Sequence, residues 1–303
     1  MKSLLLVFLT VALCTSCRTP VSQQTRYAAP KGKFSPVVIA NGTQKSLNKL
    51  GTVRACGHTA DSTVSVDPTR PAMYHEVAEF ATERGSYRNH IYRLHFEKVP
   101  VGHLAMGKNV GLFVIVTENE TNAPVLITTV HTCGCYAAIV PTSYLPAECL
   151  PAEWCPAEQD VYGEQLTGLL EMSGLDLHRW RPEIELKADS HRVQSITNTQ
   201  SGWDTTRLLP MNDLLYLPVE DGTVSMFHGE DDGDRQGYVR GSLKPLEQAL
   251  MGWWTEPYIG RDKALGDEVA TGTRFYTSVN PFKRDASNLW HFGRWLENRG
   301  WRL

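Results

Sequence analysis

The segment His131-Thr132-Cys133-Gly134-Cys135 places an imidazole and two thiols at alternate positions directly after a run of β-forming residues. Because side chains alternate across a strand, all three point to the same face. Imidazole nitrogen and thiolate sulfur are ligands that suit Cu(I) and Zn(II). Alternate side chains of an ideal strand are about 6.6 Å apart, whereas two sulfurs bound to one such ion are less than about 4 Å apart. The pattern therefore predicts a copper or zinc site, provided that the backbone bends at Gly134.

A second thiol and imidazole, Cys56 and His58, lie close together in the N-terminal part of the chain. If the fold brings them to the first group, they complete a coordination shell of cysteine and histidine ligands. The expected metal ligands are therefore His131, Cys133, Cys135, Cys56 and His58.

Disulfide bonds are the alternative use of these cysteines, because an oxidising compartment favours them. Outside the N-terminal leader, the chain has five cysteines: Cys56, Cys133, Cys135, Cys149 and Cys155. Five is an odd number, so two disulfides leave one thiol for a metal, an intermolecular bond or a reaction. The simplest predicted disulfide joins Cys149 to Cys155, and Cys56 can then pair with Cys133 or Cys135.

A third hypothesis makes the protein an enzyme with His131 and Cys133 as catalytic candidates. A thiol beside an imidazole has a depressed pKa and attacks as the thiolate. After the N-terminal leader, the sequence has no Cys-x-x-Cys, P-loop, dinucleotide-binding glycine pattern or His-Glu-x-x-His motif. These absences lower the expectation of an enzyme without excluding one, since many enzymes carry no local motif.

The N-terminus has the layout of a secretory signal peptide, with Lys2 followed by an apolar run from residue 4 to residue 13. That run is shorter than the roughly 20 residues needed to span a bilayer. Residues 13–17, Leu-Cys-Thr-Ser-Cys, resemble a bacterial lipoprotein processing site, although the leucine lies one place further upstream than is usual. The resemblance implies that residues 1–16 are removed and that Cys17 carries the lipid.

Residues 17–36, which include the lipid attachment site, are rich in Ser, Thr, Gln and Pro and predict a flexible tether. The residue after Cys17 is Arg18, and it is not the aspartate that favours inner-membrane retention in the lipoproteins this segment resembles. The expected location is therefore the bacterial cell envelope, at the outer membrane and facing the periplasm.

The hydrophobic pattern of residues 37–303 predicts one α+β domain with a mainly antiparallel sheet, scattered helices and a C-terminal helix. The strongest strand signals, Val110–Thr117 and Val125–His131, are separated by a turn-forming stretch and predict a hairpin. Helices are predicted at Pro71–Gly85, Glu164–Met172, Leu246–Trp254 and Ala286–Asn298. Further strands are predicted at 91–96, 183–187, 192–196, 224–227, 237–240 and 274–279.

Composition limits the partners. The 303 residues carry 30 Lys and Arg against 33 Asp and Glu, a net charge of −3, which argues against a protein that binds nucleic acid by neutralising phosphates. With 42% hydrophobic residues, the chain has the composition of a folded globular protein. The expected partners are the membrane, through the N-terminal lipid, and an envelope protein. The alternative to a metal-binding or delivery protein is then an envelope assembly or interaction protein with structural disulfides.

Overall fold

The computed structural model describes residues 23–30, 32–201, 205–252, 260–263 and 288–303. The strands, in chain order, are β1 (Gln24–Ala28), β2 (Val37–Asn41), β3 (Thr52–Cys56), β4 (Thr63–Asp67), β5 (Ala72–Thr82), β6 (Gly85–His95), β7 (Lys98–Val99), β8 (Gly107–Lys108), β9 (Gly111–Asn119), β10 (Pro124–His131), β11 (Ala138–Pro141), β12 (Glu158–Val161), β13 (Glu164–Thr167), β14 (Arg181–Leu186), β15 (Val193–Thr199), β16 (Arg207–Pro210), β17 (Leu217–Val219) and β18 (Gly222–Val224).

The predicted central hairpin is present as β9 and β10, which pair antiparallel along their length. Both strands are rich in β-branched residues, which suit a pleated surface that is buried on both faces. The turn between them is fixed by Asn119, whose side-chain oxygen accepts hydrogen bonds from the backbone N–H groups of Thr121 and Ala123, each at 3.0 Å. This hairpin carries the candidate site at the end of β10.

The hairpin lies inside a six-stranded sheet of order β11-β10-β9-β6-β5-β16, in which the β5–β16 pair is parallel. A four-stranded sheet of order β1-β2-β14-β15 also contains one parallel pair, β2–β14. Alternate residues of β9 enter two cores, one shared with the four-stranded sheet and the other with the C-terminal helix. The protein is therefore mainly β with mixed sheets, and helix contributes less than the predicted α+β class implies.

The helix predicted over Pro71–Gly85 is wrong, because these residues form β5 and the start of β6. The apolar residues in this stretch have helical spacing, but backbone pairing with β6 on one side and β16 on the other decides the structure. Phe80, for example, packs against Tyr87 across the hairpin, with ring centroids 5.4 Å apart. Tertiary context has overridden local propensity here.

The helix predicted over Glu164–Met172 is also wrong, because β12 and β13 form a hairpin there. The connecting residues Tyr162 and Gly163 have φ values of +55° and +83°. Positive φ at both central residues is the geometry of a tight hairpin turn, and it reverses the chain before a helix can begin.

The helices near the C-terminus are present in shortened form. Residues Pro245–Glu247 form one helical turn that continues as a wider turn over Gln248–Gly252. The C-terminal helix covers Phe292–Glu297 and follows the 3-10 turn Leu289–His291. The strand predicted at 274–279 lies outside the described residues, as do residues 253–254 of one predicted helix and residues 286–287 of the last one. Where the structure is described, no helix combines the length and apolar character needed to cross a membrane.

The tether predicted over residues 17–36 is too long, because its second half is folded. Strand β1 pairs with β2, and Tyr27 and Ala28 are buried. Phe34 is also buried and packs edge-on against Trp180, with ring centroids 5.5 Å apart. The polar composition of the segment concealed these buried side chains, so a tether can extend only from Cys17 to the residues just before β1.

Candidate metal centre

The chain folds back sharply after His131, the last residue of β10. The backbone N–H of Gly134 donates to the carbonyl of His131 at 2.7 Å, and the N–H of His131 donates to the carbonyl of Cys135 at 3.0 Å. Gly134 has a φ of +94°, a conformation that glycine adopts without the steric cost of a side chain. The bend predicted at Gly134 is therefore confirmed.

The bend gathers three donor groups into one cluster. One ligand atom each from His131, Cys133 and Cys135 lies within 4.8 Å of the others, and the two sulfurs are 2.6 Å apart. His131 and Cys133 are buried, whereas Cys135 is partly exposed. These three residues form a group that can hold a metal ion.

The ring of His131 is oriented by a second layer of contacts. Its Nε2 lies 3.1 Å from the carbonyl oxygen of His191. Because a carbonyl only accepts hydrogen bonds, Nε2 donates to it, which leaves Nδ1 as the nitrogen for the hydrogen bond with Cys133 or for a metal. His191 stacks on Phe96, with ring centroids 4.1 Å apart. The pKa of His191 is lowered to about 3, mainly by burial and to a smaller extent by the nearby His131. A neutral His191 adds no positive charge that would repel a cation.

A buried ion pair lies beside the cluster. The Nζ of Lys244 is 2.8 Å from Oδ1 of Asp262, and both side chains are almost fully buried. The Oδ2 atom of Asp262 accepts hydrogen bonds from the Thr132 hydroxyl and from the backbone N–H of Gly111. Thr132 lies between His131 and Cys133 in the chain. Asp262 therefore holds both the ligand turn, through Thr132, and the side chain of Lys244.

The two thiols ionise as a coupled pair. Burial opposes ionisation of Cys133, but the hydrogen bond with Cys135, the charge of Lys244 and the hydrogen bond with His131 outweigh it, so the pKa of Cys133 lies well below its usual value. Burial and the adjacent Cys133 hold the pKa of Cys135 well above its usual value. The pair therefore loses its first proton more readily than an isolated thiol and its second less readily, and the charge of Lys244 favours the thiolate form of Cys133.

Glu247 is a further buried acid at this site. Its Oε2 atom has no hydrogen-bond partner, and burial followed by the proximity of Cys133 raises the pKa of its carboxyl group to about 8. The carboxyl group is therefore mostly protonated at pH 7. A protonated Glu247 adds no further negative charge beside the two thiols.

Aromatic rings line the side of the site that faces solvent. Tyr136 packs edge-on against His131, with ring centroids 5.0 Å apart, and edge-on against Tyr162 at 5.1 Å. The guanidinium of Arg192 lies 5.4 Å from the Tyr136 ring centroid. Tyr162 is 63% exposed. The rings of Tyr136 and Tyr162 therefore form only a thin layer between the sulfurs and solvent on this side.

Cys56 and His58 do not join the cluster. Cys56 is exposed at the end of β3, and the imidazole of His58 lies 3.4 Å from a carboxylate oxygen of Glu220. Within the described ranges, the group that can hold a metal contains only the three residues of the turn. The spacing of Cys56 and His58 carried no information about which part of the fold they face.

The predicted disulfide between Cys149 and Cys155 is not formed. All five cysteines in the described part of the chain are free, with Cys149 buried and Cys155 exposed. The Cys149 sulfur lies 3.9 Å from a guanidinium nitrogen of Arg84 instead. The short separation in sequence made the pairing plausible, but it did not bring the two side chains together.

Sequence reasoning missed the buried charges around the sulfurs. Thr132 and Asp262 are 130 positions apart in the chain, so no local spacing links them. Lys244 and Glu247 are three residues apart in a helical turn that buries both. A buried lysine beside a buried glutamate is a signal of a functional site, but only coordinates can reveal the burial.

Comparison of the chain with protein-family models, with curated proteins and with solved structures finds no match. The function is therefore argued from the geometry of this site.

Replacing Gly134 by alanine is expected to weaken metal binding by about tenfold or more, because a Cβ disfavours a φ of +94° and the turn must open. The matched control is Gly174→Ala, at an exposed position with a φ of +74° and no heavy atom within 4 Å of an added Cβ. Both variants bear backbone strain, but only Gly134→Ala should change a metal affinity measured by competition with a chromophoric chelator. Equal affinity in the two variants would contradict a role for the bend.

Proposed function

We propose that the protein is a lipid-anchored component of the bacterial cell envelope that binds one soft metal ion, Cu(I) or Zn(II), and acts in metal binding or delivery. The observation that carries the proposal is the convergence of His131, Cys133 and Cys135 within 4.8 Å at a turn after a rigid strand. Two features support it: the His191 carbonyl holds Nε2 of His131 and so leaves Nδ1 for the cluster, and the charge of Lys244 lowers the pKa of Cys133.

The number of donors favours Cu(I) over Zn(II). Structural zinc sites are almost always bound by four ligands, and the described group offers three. Two sulfurs and one imidazole are soft and borderline donors, the kind that select Cu(I). Zinc would need a fourth ligand, and Glu247 is the buried carboxyl group near Cys133 whose Oε2 has no partner.

The envelope location is a proposal that rests on the N-terminal sequence alone. The apolar run, the small residues before Cys17 and Arg18 after it support export, lipid attachment and outer-membrane placement. An oxidising compartment is also where a thiol pair gains most from a bound metal, because free thiols there are prone to oxidation. A metal-binding protein of the periplasm therefore accounts for both the N-terminal sequence and the pair of free thiols.

The test is elemental analysis of protein purified without chelators under reducing conditions, followed by Cu(I) and Zn(II) competition titrations. Wild-type protein is expected to bind one ion per chain with a preference for Cu(I). Cys133→Ser is expected to lose it, because one of three ligands is removed. Cys155→Ser is the matched control, since Cys155 is an exposed free thiol outside the cluster. Absence of any metal from wild-type protein in both assays would overturn the proposal.

A second candidate function is dithiol chemistry, and the distance between the sulfurs favours it. The two sulfurs are 2.6 Å apart. Two sulfurs bound to one metal ion are further apart, at just under about 4 Å. In this chemistry the Cys133 thiolate attacks a disulfide of a partner and releases one partner thiolate. Cys135 then loses its proton and attacks Cys133, so that the partner leaves as a dithiol and the pair becomes a disulfide.

Thiol counting separates the two candidates. Metal binding requires both thiols of the turn in the reduced form in protein isolated from cells, whereas dithiol chemistry requires a fraction with the Cys133–Cys135 bond. Mass spectrometry after alkylation, with and without prior reduction, measures that fraction. The hypothesis that every cysteine forms a structural disulfide has no support among the described cysteines, all of which are free.

A further inference from the structure

The loop between β7 and β8 exposes large apolar side chains at its tip. Val101 is 87% exposed and Leu104 is 42% exposed, on either side of Gly102 and His103. Single exposed apolar residues are ordinary, but a cluster at a protruding turn is not. The apolar surface continues to Leu243, which is 50% exposed.

Leu243 lies in the segment that packs against the base of this loop. A Cβ added at Gly107, the first residue of β8, would lie 3.2 Å from the backbone oxygen of Leu243 and 3.0 Å from Cγ of Lys244. The loop therefore packs against the segment whose next residue, Lys244, enters the metal centre. The surface defined by Val101, Leu104 and Leu243 is called the apolar tip below.

Two lysines flank the base of the loop. Lys98 of β7 and Lys108 of β8 are directly opposite each other in the pairing register, and both are exposed. Like charges directly opposite on an antiparallel pair are destabilising. A carboxylate oxygen of Glu97 lies 3.8 Å from the Lys98 ammonium group, and one such carboxylate leaves the two lysines with a net positive charge. Their repulsion would be relieved by a negatively charged surface beneath the tip.

The chain enters the fold at this same end. The carbonyl of Gln23 accepts a hydrogen bond from the N–H of Thr43 at 2.9 Å. Three residues further, the Ser46 hydroxyl donates to a carboxylate oxygen of Glu97 at 2.9 Å, and Glu97 directly precedes β7. A short series of contacts thus connects the start of β1 to the base of the loop.

The chain between Cys17 and Gln23 is short. Six residue steps separate them, and a fully extended chain covers about 22 Å over that length. A lipid on Cys17 would therefore hold this end of the folded body within about 22 Å of the bilayer surface. The apolar tip lies at the end that such an anchor would hold nearest to the membrane.

We propose that the apolar tip docks onto the membrane surface, with Val101 and Leu104 inserted among the lipids and Lys98 and Lys108 against anionic headgroups. The proposal rests on the lipid anchor of the proposed function and is independent of the metal. The charge of the lysine pair and the position of chain entry both favour a bilayer over a protein partner. A lipid on Cys17 fixes only one point of the chain, and a second contact of this kind would fix the orientation of the folded body on the membrane.

The experiment uses the processed chain, residues 17–303, with Cys17→Ser to remove the lipid. Its binding to vesicles of phosphatidylethanolamine and phosphatidylglycerol is measured by co-sedimentation. The expected result is measurable binding that falls about tenfold or more in the Val101→Glu/Leu104→Glu double variant. Tyr216→Glu is the matched control, because Tyr216 is 66% exposed and lies outside the apolar tip. Vesicles of phosphatidylcholine alone should bind less, because they offer the lysines no net negative charge.

Three outcomes would overturn this proposal: no binding to the anionic vesicles, equal binding by the double variant, or equal binding to phosphatidylcholine. Sedimentation equilibrium tests whether a second copy of the chain occupies the apolar tip instead. A wild-type dimer that the double variant abolishes would assign the apolar tip to a second copy of the chain and refute membrane docking. The intact mass of the native protein shows separately whether Cys17 carries a lipid. Elemental analysis shows whether the protein binds metal.

Discussion

Replacing Lys244 by methionine is expected to reduce the free energy of unfolding by about 3–5 kcal/mol, because Asp262 would be left as a buried charge without its partner. Both side chains of the pair are almost fully buried, with a separation of 2.8 Å. The measurement is urea denaturation monitored by tryptophan fluorescence. Lys98→Met is the control: this lysine is exposed and its removal should change the stability by less than about 0.5 kcal/mol.

The double variant Lys244→Met/Asp262→Asn separates charge from packing. An asparagine side chain at residue 262 can still accept the hydrogen bonds of Thr132 and Gly111 through its oxygen, and no unpaired carboxylate remains there. Most of the lost stability should therefore return. Metal affinity should stay low in the double variant, because the thiolate of Cys133 has lost the positive charge beside it. A single variant as stable as wild type would refute the account of this ion pair.

Replacing Glu247 by glutamine is expected to stabilise the metal-free protein at pH 8 and to leave its stability at pH 4 almost unchanged. The pKa of Glu247 is raised from 4.5 to about 8 by burial and then by Cys133. A raised pKa means that the folded protein holds the proton over a pH range in which the unfolded chain has lost it. The contribution of Glu247 to stability is thus fully present below pH 4.5 and is lost as the pH rises towards 8.

The glutamine variant removes that titration, so its stability should fall less between pH 5 and pH 8 than the stability of wild type. Glu148→Gln is the matched control, because the Glu148 side chain is 65% exposed. Thermal unfolding of chelator-treated protein across this pH range gives the comparison. Parallel pH profiles for wild type and Glu247→Gln would show that Glu247 ionises normally in the folded protein.

Local sequence was informative where a segment's own pattern determines its structure. The β9–β10 hairpin combines two β-branched runs with a turn closed by Asn119, so its bounds could be predicted to within two residues. The turn that follows was also predictable, since a metal ligand set at alternate positions requires a bend and Gly134 is the residue that permits it. Neither prediction needed a contact from a distant part of the chain.

Sequence failed where long-range pairing competes with local preference. Strand β5 contains residues with good helix propensity, and only its neighbours β6 and β16 make it a strand. The tether was predicted from polar composition, although Tyr27 and Phe34 are buried in a core formed with β14 and β15. The same limit explains the missing half of the site, because Lys244, Glu247 and Asp262 reach the sulfurs only through the tertiary fold.

The hydrogen bond between Thr132 and Asp262 joins residues 130 positions apart, and this sets an order of assembly. The hairpin that presents the two sulfurs can form early, because its contacts are local and close quickly. The lysine and carboxylates arrive only after one of the longest loops of the chain has closed, and that closure is slow on entropic grounds. Until the segment that carries Lys244 and Asp262 docks, the thiols lack the charge that lowers the pKa of Cys133, so we expect a chain truncated before residue 244 to bind metal more weakly than the full chain.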